Sequence, residues 1–332
     1  MKKTISLLVL ACMLVFTLTA CKPDNTDTAK DAVNLTALKD HDAVQALIVT
    51  GDIDVAILPE PKATAAILAA KQQGHNYSIK LNLSTEWDNV SDYSLSMGCL
   101  AVSNSALTSK SAEINSFLKG YKSSIEYINN PDNHETAANM IVSAGILPKL
   151  PVAKSALTNL YGAIVYQDGT EMRATLESFY NAIGITLPSD SFYATTTLGT
   201  PSDTLKIGVM NGPTGMGMAK FIDDNKNNSL YEFVTYADPS IAIVDLKNGE
   251  IDLACLPTNA VANGANKGMP VSVLCINTLG SLYVVVKEGV EVNDIDDLVG
   301  KKVYYGVPTS TTEPIFEYIL TKNNIEVNIV EE

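Results

Sequence analysis

One sequence of polar caps and apolar runs occurs twice in the chain. Gly51-Asp52-Ile53-Asp54-Val55-Ala56-Ile57-Leu58-Pro59 is echoed by Gly249-Glu250-Ile251-Asp252-Leu253-Ala254-Cys255-Leu256-Pro257. Each copy follows a helical-looking stretch, 43–49 or 241–246, and runs through a short apolar strand to a proline. A glycine that ends a helix, an apolar run and a proline stop make one αβ unit of a parallel sheet. The copies lie about 200 residues apart, far beyond the ~20–50-residue period of a solenoid, so they predict two similar α/β lobes. The Gly and Asp of each copy are expected to serve the helix-to-strand connection. The residues just past each proline, Glu60-Pro61-Lys62 and Thr258-Asn259-Ala260, fall at the carboxyl edge of a sheet, where α/β folds bind ligands.

The remaining pattern fits the same class. Around the first copy it predicts the helix at 43–49, strand 53–58, helix 63–71 and strand 78–83. Thr85-Glu86-Trp87-Asp88 follows, with the only tryptophan. After an extended run at 95–102, residues 107–183 are mostly helical. Ile114, Phe117, Leu118, Tyr121, Ile125 and Ile128 share one helical face, as do Met172, Leu176, Phe179, Tyr180 and Ile183; both stripes predict core. Small polar residues at 191–203 form a linker. Beyond it come strand 205–210, a Gly-rich turn, helix 216–222, strand 231–236 and a helix opening near Asp238. Strands 251–256, 271–276 and 282–287 follow, then a short helix, a break at Gly300 and another strand. Thr311-Thr312-Glu313-Pro314 opens a helix with hydroxyl caps, an acid and a first-turn proline. A strand at 327–330 ends the pattern.

Met1-Lys2-Lys3 and the apolar run 5–20 read as a secretory leader, 1–20, too short for the ~20 apolar residues of a membrane span. Leu18-Thr19-Ala20-Cys21 resembles the bacterial lipobox, in which cleavage leaves the cysteine, here Cys21, as a lipid-modified N-terminus. Residues 21–30 are then the tether.

Composition narrows the chemistry. The 332 residues are 46% hydrophobic and 18% charged, which is ordinary for a chain that buries a core. A net charge of −14 argues against nucleic acid or an anionic membrane as the main partner. Arg173 is the single arginine, so a bidentate clamp on a carboxylate or sulfonate would have to use it. His41, His75 and His134 are the only histidines, and neither HExxH nor CxxC occurs; no zinc site and no cofactor is expected. Cys12 and Cys21 belong to the leader region. Cys99, Cys255 and Cys275 sit in apolar runs as small buried hydrophobes, with a single Cys255–Cys275 bridge left open.

Several stretches jointly resemble the substrate-binding proteins of ABC importers, of the nitrate/sulfonate/thiamine-precursor type. They are Leu205-Lys206-Ile207-Gly208-Val209-Met210-Asn211-Gly212-Pro213-Thr214-Gly215, then 249–259, 276–284 and 295–301. The second half of that family's pattern is matched by 51–61, Thr85-Glu86-Trp87, Ser96-Met97-Gly98-Cys99 and 187–193. The resemblance spans nearly the whole mature chain. It implies an α/β, two-lobed periplasmic-binding-protein-like (type II) fold, with two Rossmann-like lobes joined by a two-crossing hinge. It also implies a monomeric, lipid-anchored extracytoplasmic protein, not an enzyme, that captures a small molecule by hinge closure and hands it to an ABC permease.

The order of segments departs from that family. There the stretch like 204–332 precedes the stretch like 31–193; here it follows. We read this as a circular permutation cut inside one lobe, natural, engineered or an artefact of sequence assembly, in which 327–332 would continue into Asp31-Ala32-Val33. One lobe would comprise 96–194 with 204–287, and the other 31–95 with 288–332. Residues 195–203 would link the old termini, and the hinge crossings would lie near Leu95 and Lys287.

For binding proteins of this architecture, residues just past strand ends line the cleft. One wall is then Asn211, Thr214, Thr258, Asn259, Asn277 and Thr278. The other is Thr309, Ser310, Thr311, Thr312 and Glu60, with Trp87 as a stacking face. Free N–H groups at Gly215-Met216 and Thr312-Glu313 would hold an anionic or carbonyl group, whereas Glu60 and Glu313 favour an amine-bearing heterocycle. Nitrate, sulfonate, pyrimidine and flavin remain open. Gly212-Pro213-Thr214-Gly215-Met216-Gly217 is no nucleotide loop: it lacks the Gly-Lys-Ser/Thr of a P-loop, and Lys220 stands where a third dinucleotide glycine belongs. The alternative is an enzyme of the same fold acting on a small heterocycle such as a thiamine-pyrimidine precursor. The Cys-rich motif of such enzymes is absent, no Ser or Cys has a His partner by local signature, and Asp296-Asp297 reads as solvated helix face.

Overall fold

The computed structural model describes residues 32–307 and 310–330. The leader, Cys21, the tether and Thr309 lie outside them. The first segment runs β1 (Ala32–Leu38), α1 (His41–Thr50), β2 (Val55–Pro59), α2 (Lys62–Gln72), β3 (Tyr77–Asn82) and α3 (Leu83–Asp88). The second opens with β4 (Ser96–Ser103), α4 (Asn104–Ser109), α5 (Ser111–Asn129), α6 (His134–Ser143) and α7 (Leu150–Asn159). It continues through β5 (Ile164–Gln167), α8 (Gly169–Ala182), β6 (Leu205–Met210), α9 (Pro213–Met216), α10 (Ala219–Asn225) and β7 (Tyr231–Tyr236). Next come α11 (Pro239–Asn248), β8 (Leu253–Pro257), α12 (Thr258–Asn266) and β9 (Val271–Leu279). The chain closes with β10 (Leu282–Lys287), β11 (Lys302–Gly306), α13 (Thr312–Lys322) and β12 (Glu326–Val330).

The strands form two six-stranded sheets, β5-β9-β4-β8-β6-β7 in lobe A and β12-β1-β11-β2-β10-β3 in lobe B. Five strands correspond one to one. β7-β6-β8 and β1-β11-β2 are parallel triplets, and β4 and β10 run antiparallel between β8 and β9 or between β2 and β3. Each lobe adds one edge strand, β5 or β12. The exchange between lobes is symmetrical too. The fifth strand of each sheet is followed by the antiparallel strand of the other: β9 leads directly into β10, and β3 leads through α3 into β4. These are the two hinge crossings, near Leu95 and at Gly280-Ser281. The second differs from the expected Lys287, because β10 pairs with β2 and β3 and so belongs wholly to lobe B.

Helices cover both faces of each sheet, as buried parallel strands require. In lobe A, Leu100, Val102, Ile207, Val209 and Leu253 pack beneath α5, α6, α7 and α10, and Cys99, Ala101, Ala254 and Leu256 beneath α8, α11 and α12. In lobe B, Ala56, Leu58 and Val285 meet α1 and α2, while Val33, Leu35, Ile57 and Val303 meet α13. One apolar cluster runs through both lobes, from Val33 to Leu256, by way of Trp87 and Phe179.

Both predicted stripes are buried on α5 and α8, apart from Leu118 and Ile183 at their margins. The three described cysteines are buried and free, so Cys255 and Cys275 are not bridged. A strand not anticipated from the pattern, β1, precedes α1; its Asn34 and Thr36 interrupt what would otherwise read as an apolar run. The linker is strapped down: Thr197 N donates to Ser111 Oγ at 2.9 Å, and Ser202 N and Asp203 N donate to Glu113 Oε1 at 2.9 and 3.1 Å.

A direct junction of 332 to 31 does not fit this fold. β12 lies beside β1 in parallel register, Glu326 opposite Ala32 and Val330 opposite Thr36. The end of β12 is therefore at the far end of the sheet from the start of β1. Parallel neighbours need a crossover of about a dozen residues.

Candidate functional site

The crossings decide which edges face each other. β10 starts with Leu282 opposite Pro59, at the carboxyl end of β2. β4 starts with Ser96 opposite Leu279, and Gly98 pairs with Pro257 at the carboxyl end of β8. Both connections thus join carboxyl edge to carboxyl edge. The turns after β6 and β8 and the one after β2 lie at the edges that these crossings join.

On the lobe A side, Gly98 allows a close cluster. A Cβ there would overlap the side chain of Thr214 and come within 2.7 Å of Asn277 Oδ1 and 3.0 Å of Thr278 Oγ1. Asn277 Nδ2 donates to Thr214 O at 3.3 Å, and Thr278 Oγ1 donates to Asn277 Oδ1 at 3.0 Å. Thr258 Oγ1 donates to Ser96 O at 3.2 Å, and its own carbonyl accepts from Tyr180 OH. Thr258, Asn277 and Thr278 are consequently buried and spend their polar atoms inside the lobe. Asn211 is exposed, and Thr214 and Asn259 are half-buried, so these three of the six expected residues reach the surface of the edge. The expected free N–H of Gly215 is taken, donating to Gly212 O at 3.1 Å.

The lobe B side departs further from expectation. Glu60 is 1% exposed. Its carboxylate accepts from Thr64 N at 3.3 Å and Thr64 Oγ1 at 2.8 Å, both on α2. It also accepts from Asn159 Nδ2 at 2.5 Å, across the gap on α7 of lobe A. Asn159 Nδ2 further reaches Thr64 Oγ1, and Tyr283 OH donates to Asn159 O at 2.6 Å. Glu60 is therefore an inter-lobe tie, not a free cleft carboxylate. Burial, then Glu60, pushes the Tyr283 phenol up. Glu313 is occupied as well, accepting from Tyr305 OH. Ser310 and Thr311 are half-buried, Ser310 Oγ accepts from Thr312 N at 3.3 Å, and Thr312 is buried. Thr309 falls outside the described residues.

Trp87 is no stacking face. It is fully buried, its Nε1 donates to Tyr93 O at 2.8 Å, and its ring lies 4.7 Å from Tyr318 and 5.8 Å from Phe179. Because Phe179 belongs to lobe A and Tyr318 to lobe B, Trp87 fastens the lobes together.

His41 was missed because β1 was missed. It is the first residue of α1, at the carboxyl edge of β1, where a Cβ on Gly306 would come within 2.5 Å of its backbone nitrogen. Its Nδ1 is buried without a described partner, and burial, then Lys62, holds its pKa below the ordinary value. The hydroxyls of Ser84 and Ser96, on either side of the Leu95 crossing, are also buried without a described partner.

A cavity of about 170 Å3 does lie between the lobes, but not at the predicted residues. It flanks the hinge on the β3/β5 side and is lined by Asn82, Ser84 and Asp88 of lobe B and by Asn159 and Tyr161 of lobe A. The thiols are poor nucleophiles: burial pushes Cys255 up to about 12, and pushes up Cys99 and Cys275 as well. Among the described residues there is no cluster of three or more His, Cys, Asp or Glu able to hold a metal, and no helix long and apolar enough to cross a membrane.

The family described as NMT1/THI5 like matches residues 231–332, under a third of the chain. No curated protein matches the chain. Among solved structures, the second substrate-binding domain of the GlnP protein of Lactococcus lactis, in an open conformation, is 9% identical, with a TM-score of 0.33 over 89% of this chain and 92% of that one. The second substrate-binding domain of an amino-acid ABC transporter from Streptococcus pneumoniae is 12% identical, with a TM-score of 0.31 over 85% and 73%. The periplasmic VFT2 domain of BvgS from Bordetella pertussis is 8% identical, with a TM-score of 0.33 over 86% and 73%.

Proposed function

We propose that the chain is the solute-binding component of an ABC-type importer, taking a small molecule into the cleft between its lobes and presenting it to a membrane permease. The observation that carries this reading is the hinge. Two crossings join the carboxyl edges of two matched sheets, which supports a cleft with Asn211, Thr214 and Asn259 on one wall and Ser310 and Thr311 on the other. Ligands of open α/β sheets sit at such edges. The match of residues 231–332 to the NMT1/THI5-like family agrees with it. The leader and Cys21 place the mature protein outside the cytoplasm on a lipid anchor in this proposal, and the reversed segment order belongs to it as a permutation only with a crossover between β12 and β1, which do not join directly.

The ligand class shifts from the sequence-based expectation. Glu60 and Glu313 were the reason to favour an amine, yet both carboxylates are committed to neighbouring donors. What borders the cleft is amide and hydroxyl, which suits a neutral, hydrogen-bonding molecule.

Native mass spectrometry of freshly purified protein tests the function. An unaltered small molecule released on denaturation supports capture; conversion of that molecule on incubation would establish the enzyme alternative and sink the transport role. A thermal-shift panel of nitrate, taurine, alkylsulfonates, aminopyrimidines and riboflavin then tests ligand class. A true ligand at about 100 times its Kd adds about 2.7 kcal/mol.

A further inference from the structure

We propose that the cavity flanking the hinge is a second ligand site, for a small ammonium-bearing molecule, whose occupancy biases the angle between the lobes. The proposal needs only the two lobes and stands apart from the cleft reading.

Its walls are split between the bodies that move. Asn82, Ser84 and Asp88 come from lobe B, Asn159 and Tyr161 from lobe A, and Gly280 from the crossing itself. Any change in lobe angle therefore changes its shape. At about 170 Å3 it is close in size to an engineered protein cavity of about 150 Å3 that takes up benzene, which is room for an amine of about four heavy atoms.

The lining selects for a donor with positive charge. Among the described residues no Lys, Arg or His lines the cavity, and Asp88 is its one charged group. Ser84 Oγ is packed against Gly280 and has no surface open to the cavity, whereas Asp88 is exposed. Asn82 Oδ1 takes Ser84 N at 2.9 Å and, as a carbonyl oxygen, keeps a second lone pair. An ammonium brings three donors and no acceptor, suiting Asn82 Oδ1 and the Asp88 carboxylate. Burial holds the Asp88 carboxyl above its ordinary range, and a neighbouring cation opposes that shift.

Coupling to the hinge follows from two shared residues. Asn159 and Tyr283 line the cavity, and both belong to the inter-lobe tie on Glu60 and Thr64. A molecule that fits one lobe angle better than another shifts the population toward it.

The probe is ethanolamine, with ethylene glycol as an uncharged counterpart of the same size, added to the purified mature protein at up to about 100 mM. At about five times its Kd, ethanolamine should raise the melting temperature by about 2 °C. It should also shift the distance between spin labels at Lys71→Cys in lobe B and Glu126→Cys in lobe A. Asp88→Asn should weaken the response about tenfold, while Asn211→Ala, on the cleft, should leave it unchanged. A response that survives Asp88→Asn, an equal response to ethylene glycol, or none in the wild type overturns the site. Stabilisation without a distance shift overturns the coupling. A cleft ligand whose effect is lost in Asn211→Ala but kept in Asp88→Asn separates the two sites, so either can fail alone.

Discussion

The two copies of the repeated unit have the same backbone and different neighbours. Gly51 and Gly249 both end ten-residue helices in the left-handed region, at φ 77, ψ 18 and φ 77, ψ 16. The residue after each donates at 2.9 Å to a helix carbonyl, Asp52 N to Leu47 O and Glu250 N to Asp245 O. Both helices start from an aspartate cap, Asp40 and Asp238. The side chains then diverge. Asp252 is nearly buried, accepting from Lys206 N and Lys110 Nζ, both at 2.8 Å, whereas Asp54 is exposed beside Lys287. Past the proline, Thr258 bonds within its own lobe and Glu60 bonds to the other. The shared backbone builds each sheet, and the divergent residues decide what each sheet holds on to.

The aspartates should separate the copies most. Asp252→Ala strips Lys110 of its carboxylate in a site where the two side chains are 19% and 12% exposed, and should cost about 3 kcal/mol. Asp54→Ala should stay within about 0.5 kcal/mol. Urea unfolding with an unchanged m-value measures both; equal losses would mean that the buried pair adds nothing. The glycines come next. Alanine in the left-handed region costs about 1 kcal/mol, which is the expectation for Gly249→Ala, where nothing lies within 4 Å of the added carbon. Gly51→Ala should lose about 2 kcal/mol, because the same carbon falls 2.5 Å from His75 Nδ1.

This contrast also shows what was legible in the sequence. The caps at Gly51 and Gly249, the strand at 205–210 and the α5 and α8 stripes depend on near neighbours along the chain, and spacing reveals them. The fates of Glu60, Trp87 and Asn277 depend on groups far away in sequence: Asn159 for Glu60, Phe179 and Tyr318 for Trp87, and Thr214 for Asn277. A polar residue past a strand end looks the same whether it faces a ligand or a distant helix. The second hinge position was hidden for a similar reason, since 282–287 is equally apolar in either sheet and only its pairing with β2 and β3 assigns it. β1 was lost to Asn34 and Thr36. Asn34 is explained by a partner almost 300 residues on, its Oδ1 accepting from Asn328 Nδ2 at 3.0 Å.

If Glu60 ties the lobes while Thr258 serves only its own, removing each donor should act differently. Asn159→Ala should cost about 1 kcal/mol, roughly a fivefold change in the balance of lobe angles, seen as a shift in inter-lobe label distances. Thr258→Ala should lose a similar amount of stability and leave those distances unchanged. Movement in both variants would show that Thr258 also reaches across the hinge.

The smallest effect lies where the two helices begin. α11 opens with Pro239 and α1 with His41, each just after its aspartate cap. Proline at this position has no hydrogen to leave unpaired and does not titrate. His41 does titrate, and burial, then Lys62, depresses its folded-state pKa below the ordinary 6.5. The folded protein therefore binds the proton less well than the unfolded chain. The neutral ring's contribution is complete above about pH 6.5 and is lost as pH falls through that value toward the lower folded-state pKa. His41→Gln cannot take up that proton. Melting temperatures of the two proteins should run parallel from about pH 8 to 7 and converge or cross below about 6.5, where the wild type alone pays the protonation penalty. Curves that stay parallel to about pH 5 would mean that the ring titrates alike in both states, and that the edge after β1 is as indifferent to pH as the edge after β7.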